Sequence, residues 1–129
     1  MARRQVCAAA LLITAVIHLA VVPEHAREWP AAAAFFVALS AVEVGLAVIL
    51  LTRSSRPLLL TGAVISVVSA ALWVVSRTFG LPIGPEAFHP EAVRMPDAVA
   101  TLLEVFAAAV FAGLAIRPTG LPAPAHDHQ

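Results

Sequence analysis

The sequence predicts an all-α protein, a bundle of four transmembrane helices with both termini in the cytoplasm. Of its 129 residues, 60% are hydrophobic and only 12% are charged, and the mean hydropathy is +0.90. The charged fraction of a soluble domain is about a quarter. This composition therefore indicates a protein that lies in a lipid bilayer.

Four apolar runs are each long enough to cross a hydrocarbon core about 30 Å thick, which takes roughly 20 residues. The ten prolines lie outside these runs and mark positions where a helix cannot continue, so we expect Pro23 to end the first helix. The predicted helices cover residues 5–22, 31–51, 58–79 and 98–116. They form one domain over 1–117, and the short, proline-rich segment 118–129 is predicted to be a disordered cytoplasmic tail.

The start of the chain has a second interpretation. Arg3 and Arg4, followed by an apolar run, also occur in secretory signal peptides. No small-x-small cleavage site follows the run, so we predict that this segment is retained as a helix, with cleavage as the alternative.

Arginine placement predicts the topology. In a four-helix layout the arginines divide between the two ends: Arg3, Arg4, Arg53, Arg56 and Arg117 at one end, and Arg27, Arg77 and Arg94 at the other. The positive-inside rule then puts both termini in the cytoplasm of a multi-pass protein of the plasma membrane, the inner membrane of a bacterium. The outer loops, 23–30 and 80–97, carry acidic residues and histidines.

The sequence also argues against several functions. Eight basic and eight acidic residues give no net charge, so there is no concentrated basic surface for nucleic acid. The single cysteine, Cys7, excludes an internal disulfide and has no neighbours typical of a zinc site. Ser66 and Ser69 have no His or Lys base beside them in the sequence, so nucleophilic catalysis is unsupported.

Each predicted helix carries small and polar residues at a spacing of three and four, which is typical of the interior of a membrane bundle. The stripes predict a polar ligand pocket that opens outward above a floor without ionisable groups. Its predicted residues are His18, Glu43, Trp73, Arg77 and Glu104. A rise of about 1.5 Å per residue places Arg77 roughly 3 Å and Glu104 roughly 10 Å below the outer end, which predicts an ion pair between them.

Imidazole and carboxylate groups are common ligands of zinc and copper. The sequence therefore offers a candidate metal site of four residues: His18, His25, Glu43 and Glu104. Their spacing matches no metal motif, and a hydrogen-bonded interior that only holds the helices in register is the competing interpretation. Haem is disfavoured because only His18 lies inside a predicted helix.

The sequence is also compatible with two other functions. One is a non-enzymatic membrane partner or assembly subunit, or a homo-oligomer, whose outer loop docks another protein. The other is a proton-coupled transporter of small solutes, in which Glu43 and Glu104 relay protons.

Two segments resemble small uncharacterised four-helix membrane proteins of actinobacteria. They are SRTFGLPIGPEAFHPEAVRMPDAVATLLE, with its Ser-Arg-Thr-x-Gly-Leu-Pro-x-Gly-Pro run, and IHLAVVPEHAREWPAAAAFFVALSAVE, with its His-Leu and Pro-Glu-His elements. The resemblance implies a membrane location and the topology above, but no activity. It marks as characteristic His18, Pro23, Glu24, His25, Arg77, Gly80, Leu81, Pro82, Gly84, Pro85 and Glu104. Glu43 departs from the pattern, which favours Gln or another uncharged polar residue there.

Overall fold

The protein is all-helical over the residues that its computed structural model describes, 1–53 and 55–116, and no strand occurs among them. The four helices are α1 (Ala2–Glu28), α2 (Pro30–Thr52), α3 (Arg56–Thr78) and α4 (Met95–Ala115). All four are long and apolar enough to cross a membrane, so the chain is a membrane protein. The predicted tail, 118–129, lies outside the described residues.

The first helix is longer than predicted. We expected Pro23 to end it, but Pro23 lies inside α1, which runs on to Glu28. A proline removes only one backbone hydrogen bond, and helices in membranes tolerate that loss. Trp29 alone separates α1 from α2, so the predicted outer loop over 23–30 is wrong and its charged residues lie on α1.

The prolines at helix starts behave as expected. Pro30, Pro57 and Pro96 each lie in the first turn of α2, α3 and α4. The first amide groups of a helix have no partner within it, so proline loses nothing there and its backbone angle suits the helix. These residues set the starts of three helices within one to three positions of the predicted ones.

The helices pack in a definite order. α1 packs against both α2 and α4, and α3 packs against α4, whereas α2 and α3 make almost no close contact along their lengths. The apolar core lies at the end of the bundle where α1 begins and α4 ends. Its buried members are Cys7, Ala8, Leu11, Leu46, Ala47, Leu50, Leu59, Ala107, Phe111 and Ala115.

The contact between α3 and α4 depends on a glycine. Phe111 is completely buried, and its ring lies against Gly62 so closely that a Cβ atom built there would be 2.7 Å from two ring carbons. Small residues at helix interfaces in membranes allow such close approach. Gly62 therefore sets the distance between α3 and α4 at the base of the bundle.

Two alanine substitutions test this contact. Gly62→Ala is expected to destabilise the protein by about 1–3 kcal/mol, because the buried Phe111 ring has to move. Gly45→Ala is the matched control, since a Cβ atom there meets nothing within 4 Å, and it should be neutral or slightly stabilising. Unfolding of both variants in detergent gives the comparison, and equal stability of the two would contradict the assigned role of Gly62.

Candidate functional site

Three ionisable side chains from three helices meet inside the bundle. His18 of α1, Glu43 of α2 and Glu104 of α4 each offer a ligand atom, and these atoms lie within 4.8 Å of one another. The exposed fractions are 8% for His18, 1% for Glu43 and 2% for Glu104. His18 Nδ1 lies 3.2 Å from Glu43 Oε2, at hydrogen-bonding distance. We call these three residues the His–Glu–Glu cluster.

Most oxygens of this cluster are unsatisfied. Among the described residues, Glu43 Oε1 and both carboxylate oxygens of Glu104 are buried and have no hydrogen-bond partner. Ser66 of α3 is fully buried, and its hydroxyl is likewise unpartnered. Buried polar groups in proteins are nearly always hydrogen-bonded. Four oxygens in one place are therefore left without the hydrogen bonds that buried polar groups normally make.

Helix lengths explain why the three side chains meet. We call the end of the bundle at which α1 ends the outer end. Because α1 continues past Pro23 to Glu28, His18 lies ten residues below this end, or roughly 15 Å. Counted in the same way, Glu43 is roughly 20 Å deep and Glu104 roughly 14 Å deep. A first helix that ended before Pro23 would have left His18 only about 6 Å deep, too shallow to reach Glu43.

The predicted ion pair between Arg77 and Glu104 is wrong. Arg77 donates hydrogen bonds to Glu91 Oε2 at 2.5 Å and to Asp97 Oδ2 at 2.8 Å, and Glu104 has no such partner. Asp97 lies seven residues before Glu104 on α4, roughly 10 Å nearer the outer end. Arg77 therefore belongs to a separate ionic layer above the cluster.

This ionic layer fastens the outer loop, residues 79–94, to the bundle. Arg77 binds the loop through Glu91, and Arg94 binds Glu24 of α1 through both carboxylate oxygens, at 2.6 and 2.7 Å. The hydrogen bonds to Glu24 raise the pKa of the Arg94 guanidinium above its usual value, so Arg94 stays charged. The loop is thus held over the outer end of the helices at two points.

Two glycines shape the outer loop. Gly80 and Gly84 have positive φ angles of 74° and 99°, which glycine adopts without strain. Gly84 also lies against Trp29: a Cβ atom there would be 3.0 Å from the indole ring. Trp29, between α1 and α2, therefore packs against the loop.

Two other predicted site residues lie apart from the cluster. His25 does not join it, because its Nδ1 lies 2.9 Å from the Val21 carbonyl oxygen and its ring packs edge-on against Phe36. Trp73 is half-buried, with the Arg77 guanidinium carbon 5.6 Å from its ring centroid. Its Nε1 is buried and unpartnered among the described residues.

Sequence reasoning missed the direct contact between His18 and Glu43 and the partners of Arg77. The sequence did contain a signal for the partners of Arg77, because Asp97, Thr101 and Glu104 follow one another on α4 at a spacing of four and three residues. The buried core residues at the base of the bundle form a hydrophobic cluster, at the end where the sequence predicted no ionisable groups.

No protein-family model, curated protein or solved structure matches this chain.

Double-mutant cycles test the layering of the charged groups. Arg77→Gln and Asp97→Asn should be coupled by about 0.5–3 kcal/mol, because either substitution removes the partner of the remaining, partly buried charge. Arg77→Gln and Glu104→Gln should add within about 0.5 kcal/mol, because two helical turns separate the groups. Thermal unfolding in detergent measures the coupling energies. Strong coupling between Arg77 and Glu104 would contradict the structure and support the ion pair predicted from the sequence.

Proposed function

We propose that this chain is a metal-binding protein of the membrane and that the His–Glu–Glu cluster holds one divalent transition-metal ion, zinc before copper. The observation that carries the proposal is the convergence of three buried side chains whose ligand atoms lie within 4.8 Å of one another. Among the described residues, three of the four carboxylate oxygens of Glu43 and Glu104 have no hydrogen-bond partner. Carboxylate and imidazole are ordinary zinc ligands.

Charge neutrality supports a divalent ion. Two ionised carboxylates beside a neutral histidine carry two negative charges in an apolar interior, where an unpaired charge is expensive. One divalent cation neutralises both charges and provides partners for the orphaned oxygens. Two protons also neutralise the carboxylates, and that metal-free state is the competing account of the same geometry.

The type of ligand favours zinc, or copper in its divalent state. Monovalent copper prefers thiolate and thioether ligands. Cys7 is buried in the apolar core at the opposite end of the bundle, and Met1 and Met95 are largely exposed. No sulfur atom of the described chain therefore belongs to the cluster.

Three protein ligands leave one position of a tetrahedral zinc ion for water or a small ligand. Ser66 faces the Glu104 side of the cluster, and its unpartnered hydroxyl supplies a hydrogen bond for such a ligand. Each of the four helices then contributes one polar side chain to the site.

We propose that both termini lie on the cytoplasmic side of a bacterial plasma membrane and that the outer loop lies on the opposite side. Four described arginines lie at the end where the chain begins: Arg3, Arg4, Arg53 and Arg56. The other end carries Arg27, Arg77 and Arg94, and of these Arg77 and Arg94 are paired with carboxylates, which neutralises their charge. The positive-inside rule supports this orientation, and the metal would reach the cluster past the ionic layer.

Metal stoichiometry tests the proposal. Protein carrying His126→Gln and His128→Gln, so that the histidines of the C-terminal segment do not contribute, should bind one zinc ion per chain by elemental analysis. His18→Gln, Glu43→Gln and Glu104→Gln should each lower the affinity at least tenfold, because each removes a ligand. His25→Gln is the control and should bind like the parent. The proposal would be overturned if each of the three single variants bound zinc like the parent, or if the parent bound no zinc.

Stability separates a bound metal from bound protons. Zinc at about 100 times the Kd of the parent should stabilise the parent by about 2.7 kcal/mol, and it should stabilise Glu104→Gln, whose affinity is at least tenfold lower, by at most about 1.4 kcal/mol. Without zinc at alkaline pH the order should reverse, with Glu104→Gln more stable by about 1–3 kcal/mol because the variant buries one carboxylate where the parent buries two. Unfolding with and without a chelator measures both effects. A Glu104→Gln variant that is less stable in both conditions would indicate a purely structural carboxyl group.

A further inference from the structure

A groove lies on the outer surface between α1 and α4, and it runs from just below the level of the His–Glu–Glu cluster to the end of the bundle where α1 begins. It has a volume of about 380 Å³ and is lined by Ala2, Arg3, Val6, Phe106, Ala109, Val110, Gly113 and Leu114. Seven of these eight residues are apolar or glycine, and Arg3 is the one charged residue among them.

The polarity of the groove changes along its length. Its α4 wall runs from Phe106 to Leu114, a span of roughly 12 Å along the helix axis. Arg3 lies in the first turn of α1, at the end of the bundle. The groove therefore has a cationic mouth at the level of the lipid headgroups and an apolar trough that extends into the hydrocarbon region.

Nothing anionic in the described chain satisfies this mouth. No acidic residue occurs in the described segments that form this half of the bundle, 2–17, 44–53, 55–70 and 105–116. The first turn of α1 contains no acidic residue, and no side chain caps it, so the positive end of its helix dipole adds to the charge of Arg3. The complementary ligand is an anion that carries an apolar chain.

We propose that this groove is a binding site for an anionic phospholipid, with the phosphate at Arg3 and one acyl chain lying along α4. Small residues create the space: a Cβ atom at Gly113 would meet nothing within 4 Å, and Ala109 lies one turn away on the same wall. The site is independent of the metal cluster.

Lipid competition followed by native mass spectrometry tests the site. Protein in detergent is offered phosphatidylglycerol and phosphatidylcholine with identical acyl chains, so that only the net charge of the headgroup differs. The wild type should retain phosphatidylglycerol about fivefold better, the preference expected from one arginine near an anionic headgroup. Arg3→Gln should abolish the preference, because it keeps the length of the side chain and removes the charge.

Filling the trough is the second arm of the experiment. Gly113→Leu should reduce binding of both lipids, whereas Gly45→Leu, at a glycine of α2 whose Cβ position is equally open, should bind like the wild type. Ala109→Leu replaces Gly113→Leu if the latter does not fold. Equal retention of the two lipids by the wild type, an unchanged preference in Arg3→Gln, or a stable dimer that leaves no lipid on the groove would each overturn the proposal.

Discussion

The burial of two carboxylates side by side in an apolar interior is the constraint on which the rest of this structure depends. Glu43 and Glu104 come from different helices and are almost completely inaccessible, yet only one of their four oxygens has a hydrogen-bond partner, His18, among the described residues. Two such groups cannot both carry a charge without a cation. Protonation, or a cation bound as proposed, would neutralise them, so the charge state of this site and the stability of the bundle are linked.

The surroundings of the cluster isolate it from both sides. Below it, Gly62 admits the Phe111 ring to the base of the bundle, and the apolar core leaves no polar route toward that end. Above it, Arg77 joins Glu91 of the loop to Asp97 of α4. A cation bound as proposed and entering from the outer end would pass a layer whose own charges are already paired. Such a layer restricts access without adding net positive charge that would repel a cation.

The number of helices and the polar residues of each could be predicted from sequence, because prolines and apolar runs mark helices directly. The pairing of side chains could not, because it depends on depth. Depth depends on where each helix ends, and the continuation of α1 through Pro23 lowers His18 by roughly 9 Å relative to the prediction. That single difference brings His18 to Glu43. The displacement of the start of α4 to Met95 likewise carries Glu104 away from Arg77.

Charge is segregated along the axis of the bundle, and this segregation separates the two proposed sites. All seven acidic residues of the described chain lie in the cluster or nearer the outer end, whereas the opposite end carries arginines and no carboxylate. A divalent cation is therefore attracted to the outer half, and an anionic headgroup to the base. Because apolar core residues fill the space between the two ends, neither ligand has a polar path to the other. The same asymmetry that supports the proposed orientation in a membrane also favours opposite signs of bound charge at the two proposed sites.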